Sequence, residues 1–108
     1  MNMTLIYGID TTQPITPRMV RDAIIECFHQ AHDEELRNRT VDEQVNRSFC
    51  AAIVEKAFLD IGADFQNPTK EDLLRVIEQL AVFTIQFRDP LIVDRHIAEI
   101  RQLIDKLP

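Results

Sequence analysis

From residue 17 onward the apolar positions of this chain recur every three or four residues, the period of an α-helix lying against a core. Turning each residue by about 100° puts Val20, Ala23, Ile24, Cys27, Phe28 and Ala31 on one side of a first helix. Leu73, Val76, Ile77, Leu80, Phe83, Thr84 and Phe87 form a broad stripe further on, with Arg75, Gln79 and Gln86 opposite. Val93, Ile97, Ile100, Ile104 and Leu107 make a narrow seam near the end. Residues 41–62 differ. There Val41, Val45, Phe49, Ala52 and Leu59 occupy one side, and Cys50, Val54, Ala57 and Ile61 nearly the opposite one. A helix apolar on two faces lies centrally or meets partners on both sides.

Punctuation supports the same four elements. Thr16-Pro17 and Asp89-Pro90 each place a capping side chain before a proline at the first helical position. Thr40 and Glu43 have capping-box spacing, and Thr69 precedes the acidic pair Glu71 and Asp72. Gly62 sits where a helix ends. Ion pairs at i,i+4 fit the assignment: Glu43–Arg47, Glu71–Arg75, Arg95–Glu99 and Arg101–Asp105. The expectation is an all-α fold, a four-helix up-down bundle-like domain over residues 16–108, with helices at about 17–37, 41–62, 70–88 and 90–107. Short links between them favour antiparallel neighbours. Residues 1–15 form a short extended N-terminal arm. Met3 to Ile9 is β-leaning, and one strand must pair, lie in a groove or stay mobile.

Composition narrows the functional classes. With 108 residues the chain is one domain, and its two glycines disfavour both a many-turned β fold and a backbone phosphate cradle. The net charge of −6 opposes a duplex-binding surface, and with no Trp and one Tyr the chain lacks stacking platforms. No nucleic acid and no membrane is expected as a partner, since no apolar run approaches a membrane span and Met1 to Asp10 has neither the basic stretch nor the apolar run of a secretory signal. A cytoplasmic location follows as the expectation. There Cys27 and Cys50, set at similar heights of a helical hairpin, remain reduced thiols that pack as small hydrophobes, with a redox pair as the alternative.

Candidate chemistry is sparse. Glu26 and His29 have the Glu-x-x-His spacing of di-iron bundles, but that chemistry needs two such motifs, and the chain offers otherwise a reversed His96–Glu99. On the helical wheel His29 points about 165° from the core direction and Glu26 about 135°, so both are expected at the surface. His29, His32 and Asp33 lie three and four residues apart at the end of the first helix and are the candidate metal ligands. Such groups are common on surfaces without any ion, and a histidine there also favours the helix dipole. Lys56 is expected to snorkel rather than act as a nucleophile, and His96 to be a hydrogen-bonded boundary residue. No cofactor is implied, and no catalytic residue can be named.

Surplus apolar surface is the remaining hint. Ile25, His32 and Leu36 make a secondary stripe on the first helix, and Val54, Phe58 and Ile61 belong to the second face of the next. These six residues are the expected contact surface of an interaction module, a homodimer, with the arm pairing across it or lying over a neighbour. The alternative is an accessory or enzyme subunit holding a metal or small ligand between helices. A nucleic-acid-binding helical regulator ranks last on charge.

Overall fold

The computed structural model describes residues 5–35, 42–83 and 90–108. Four helices follow a small hairpin: β1 (Leu5–Ile6), β2 (Ile9–Asp10), α1 (Pro17–Glu35), α2 (Glu43–Asp60), α3 (Lys70–Phe83) and α4 (Pro90–Asp105). Consecutive helices pack side by side and α4 closes back on α1, as expected for an up-down bundle. Cross-links between helix ends fix the antiparallel sense. Arg95 of α4 reaches Glu34 at the end of α1 (2.6 Å), and Lys70 at the start of α3 donates to the Leu107 carbonyl after α4 (3.0 Å).

The core is built from the stripes that the sequence pattern exposes. Val20, Ala23, Ile24, Cys27, Phe28 and Ala31 of α1 are all buried, with Leu73, Val76, Ile77 and Leu80 of α3 and Ile100, Ile104 and Leu107 at the end of the chain. Leu103, outside the narrow seam, is buried too. Of the α3 stripe, Phe83, Thr84 and Phe87 fall outside the described side chains, as does Val93 of α4.

Helix ends are satisfied mostly as expected. The Thr16 hydroxyl accepts from Met19 N (3.3 Å), and Thr69 and Asp72 form a reciprocal capping box at 3.1 Å in each direction. α2 starts later than its spacing suggests. Asp42 caps it, accepting from Val45 N at 3.0 Å, while Thr40 lies outside the described residues. Its other end is a Schellman turn: Gly62, at φ 73°, donates to Leu59 O and Ala63 N to Phe58 O.

The arm finds its partner in itself. β1 and β2 pair antiparallel, Leu5 with Asp10 and Ile6 with Ile9, across Tyr7 and Gly8. Both turn residues have positive φ (50° and 82°), the combination that matches the twist of a two-residue hairpin loop. Ile9 enters the core, and the Tyr7 hydroxyl lies 2.6 Å from Nδ1 of buried His96. Within the chain the hairpin docks on α4. Asp10 shapes the following turn by accepting from Thr12 N and Thr12 Oγ1, and these bonds hold its carboxyl below the usual range.

Candidate metal-ligating cluster and the outer face of α2

Among the described residues, two places are not explained by the core, and both involve α2. The first lies where the end of α1 meets the start of α2. His29 is 3% exposed, which overturns its expected surface position. The wheel of α1 assumes a single core direction, but α1 packs against α2 and α4 and also touches α3, so it is covered on more than one side. The first turns of α2 bring Glu43 and Asn46 over the side of α1 that the wheel leaves to solvent.

Among the described residues, His29, Asp33 and Glu43 form one group whose ligand atoms all lie within 4.8 Å of one another. His29 Nε2 is 3.0 Å from Glu43 Oε1, yet neither ring nitrogen has a hydrogen-bond partner of acceptable geometry. A buried imidazole left in that condition costs of order 1–3 kcal/mol. His32, the other expected ligand, is turned to a different task. Its Nδ1 lies 2.7 Å from Oδ1 of buried Asn46, and its ring sits between Phe28 and Phe49, at centroid distances of 6.2 and 5.4 Å. Asn46 also donates from Nδ2 to Asp33 Oδ1 (3.2 Å), fixing one carboxylate oxygen.

Arg47 completes the surroundings. It bonds Glu26 Oε2 at 2.7 Å and lies 3.7 Å from Glu43 Oε1, so one of the expected i,i+4 pairs is present. Burial pushes the Glu26 carboxyl up, but bonds from Arg47 and Gln30 outweigh it and hold the group below its ordinary value. The sequence pattern named His29 and Asp33 but missed Glu43 and Asn46. Their signal was faint: Glu43 passes for a first-turn carboxylate, and Asn46 for one polar residue among many.

The second place is the solvent side of α2. Val54 and Phe58, expected on a contact surface, are instead both 0% exposed and belong to the core. Phe58 meets Phe65 edge-on at 5.3 Å. Ile25 and Ile61 are half-buried against the same core, and Leu36 lies outside the described residues. The other stripe of α2 faces out. Val45, Phe49 and Leu59 are 63%, 45% and 70% exposed, and Ala52 between them is exposed as well. Lys56 on this stripe keeps its ammonium at the surface, 2.8 Å from Asp60.

The two cysteines occupy separate surroundings. Cys27 is influenced by Tyr7 and Glu99 and Cys50 by Asp33 and Arg47. Burial pushes both thiols up to about 12, which disfavours the thiolate that redox chemistry or nucleophilic attack requires.

No family model, curated protein or solved structure matches this chain. Among the described residues no helix is long and apolar enough to cross a membrane.

Proposed function

We propose that the protein is a small helical interaction module that associates with a second copy of itself through the outer face of α2. One observation carries this reading. Of the four large hydrophobic residues exposed among the described residues, three (Val45, Phe49 and Leu59) lie on one stripe of one helix. With Ala52 and Lys56 they fall at intervals of four and three residues, the 3.5-residue repeat of helices that pair side by side. Phe49 and Leu59 supply bulk, and Ala52 leaves room between them for a neighbour's side chain.

Lys56 favours the antiparallel sense. A parallel pair would set the two lysines face to face in the seam, whereas an antiparallel pair separates them. Size limits the strength. The stripe is roughly 20 Å long at 1.5 Å per residue, so it buries well under the roughly 800 Å² per partner of a standard interface. Association is accordingly weak and depends on protein concentration. A cytoplasmic location suits this reading but adds nothing to it.

Sedimentation equilibrium over a micromolar concentration series tests it. The wild-type chain is expected to show a monomer–dimer equilibrium, and Phe49→Glu or Leu59→Lys to remain monomeric with unchanged helix content. A strictly monomeric wild-type chain would remove the proposal, as would a dimer indifferent to both substitutions.

A further inference from the structure

We propose that His29, Asp33 and Glu43 form a binding site for one divalent first-row transition cation, zinc being the natural candidate, at the junction of α1 and α2. This site is separate from the outer stripe of α2 and does not rest on self-association. Three features support it together.

The first is the buried imidazole. His29 is 97% withdrawn from solvent, its ring nitrogens lack aligned hydrogen-bond partners, and Nε2 lies 3.0 Å from Oε1 of Glu43. A protonated imidazole paired with Glu43 would aim its N–H at the carboxylate. Here the two atoms are 3.0 Å apart without such alignment. Two ligands of one ion behave in this way. Each aims its lone pair at the ion and not at the other ligand. Bonds of about 2.0–2.2 Å in a tetrahedral site then leave donor atoms a little over 3 Å apart.

The second is charge. Asp33 and Glu43 bring two negative charges, and the nearby Arg47 guanidinium is held by Glu26 at 2.7 Å. Arg47 also reaches Glu43 at 3.7 Å, so the carboxylates of Glu26, Asp33 and Glu43 with this one guanidinium leave the net charge that a divalent ion would match. One imidazole with two carboxylates is a nitrogen-oxygen donor set that zinc, cobalt and manganese accept, with at least one position left for water.

The third is support behind the ligands. Asn46 Nδ2 holds Oδ1 of Asp33 at 3.2 Å, and Arg47 lies 3.7 Å from Oε1 of Glu43. Ligating carboxylates are commonly oriented in this way by outer groups. Glu43 and Asp33 are exposed, so small rotations of their side chains close the remaining gaps within the 4.8 Å cluster. Residues 29 and 33 belong to α1 and residue 43 to α2, so the ion would bridge two helices across the chain segment that joins them.

The test uses the full chain without a polyhistidine tag, stripped with chelator and titrated with zinc by calorimetry and with cobalt by visible absorption. One ion per chain is expected, with a cobalt spectrum of nitrogen and oxygen ligands. Asp33→Asn and Glu43→Gln, both at exposed positions, should each weaken binding by about tenfold or more at unchanged helix content. His29→Gln should abolish it. The proposal is overturned if neither zinc nor cobalt binds saturably, or if binding survives both carboxylate variants. A thiolate-to-cobalt charge-transfer band would also overturn it, because it would place the ion on a cysteine. Sedimentation of the same variants separates this result from self-association, since Glu43→Gln leaves Phe49 and Leu59 in place.

Discussion

The two ends of α2 are held in different ways. At its C-terminal end the Schellman turn at Gly62 satisfies the last carbonyls, and the following segment is clamped onto α1. Arg18 donates to Gln66 O and Asn67 Oδ1 (2.9 and 2.7 Å), Arg21 donates to Phe65 O (2.7 Å), and the Arg21 guanidinium lies 4.7 Å from the centre of the Phe65 ring. Polar groups there have partners, and Phe58 and Phe65 fill the space beneath. At the N-terminal end the same helix meets α1 through His29, His32, Asp33, Glu43, Asn46 and Arg47, and the buried His29 imidazole lies 3.0 Å from Glu43 without hydrogen-bond alignment. One end is finished as a folding unit. The other is arranged as if a further component completes it. A buried polar group without an aligned partner costs stability, and among the described residues His29 is the side chain that carries that cost.

Three measurements sharpen this contrast. The largest effect is expected from Asn46→Ala, which removes the buried amide bonded to His32 and Asp33 and opens a gap beneath α2. Urea unfolding of metal-free protein should show a loss of about 1–3 kcal/mol. A loss near zero would mean that Asn46 holds nothing in place. Next comes Gly62→Ala. The added methyl group meets no atom within 4 Å, so the whole cost is the left-handed backbone at φ 73°, about 1–2 kcal/mol. If the variant is as stable as the parent, the Schellman turn does not close the helix as described.

The smallest effect is a pH dependence at the open end. Glu26 has its carboxyl lowered from the ordinary 4.5, so the folded chain binds a proton there less readily than the unfolded one. Its contribution is complete above pH 4.5 and is lost as pH falls through the lowered value. Because Glu26 and Arg47 both lie partly in solvent, screening keeps this contribution small. Comparing unfolding midpoints of the wild type and Glu26→Gln from neutral pH to below 4.5 should show the difference shrinking on the acid side.

Helices that bury a single stripe were legible from residue spacing alone. The inner residues of α1 and α3 and the late seam of α4 all followed from their 3.6-residue period. α2 was not decidable in that way. Its two stripes are similarly apolar, and only the packing of α1, α3 and Phe65 selects Cys50, Val54, Ala57 and Phe58 for the interior. His29 was misplaced for a related reason, because a wheel records one core direction and α1 has several neighbours. The His29, Asp33 and Glu43 cluster was half legible. Local spacing joins His29 to Asp33, but Glu43 arrives from another helix, and Asn46 diverts His32 from the set. The hairpin was hidden by Tyr7, an unusual residue for a positive φ, where Asn or Asp would have announced the turn.

The arginine clamp on the segment after α2 carries a practical corollary. Arg18 and Arg21 grip Phe65 and Gln66 by their main-chain oxygens, so what stands at position 66 is of little concern to the grip, and Gln66 itself is exposed. A cysteine introduced there would face solvent, while the two native thiols are buried and pushed up to about 12. A thiol-directed dye at neutral pH would choose the newcomer, giving a reporter for the proposed pairing and ion uptake that leaves both surfaces of α2 untouched.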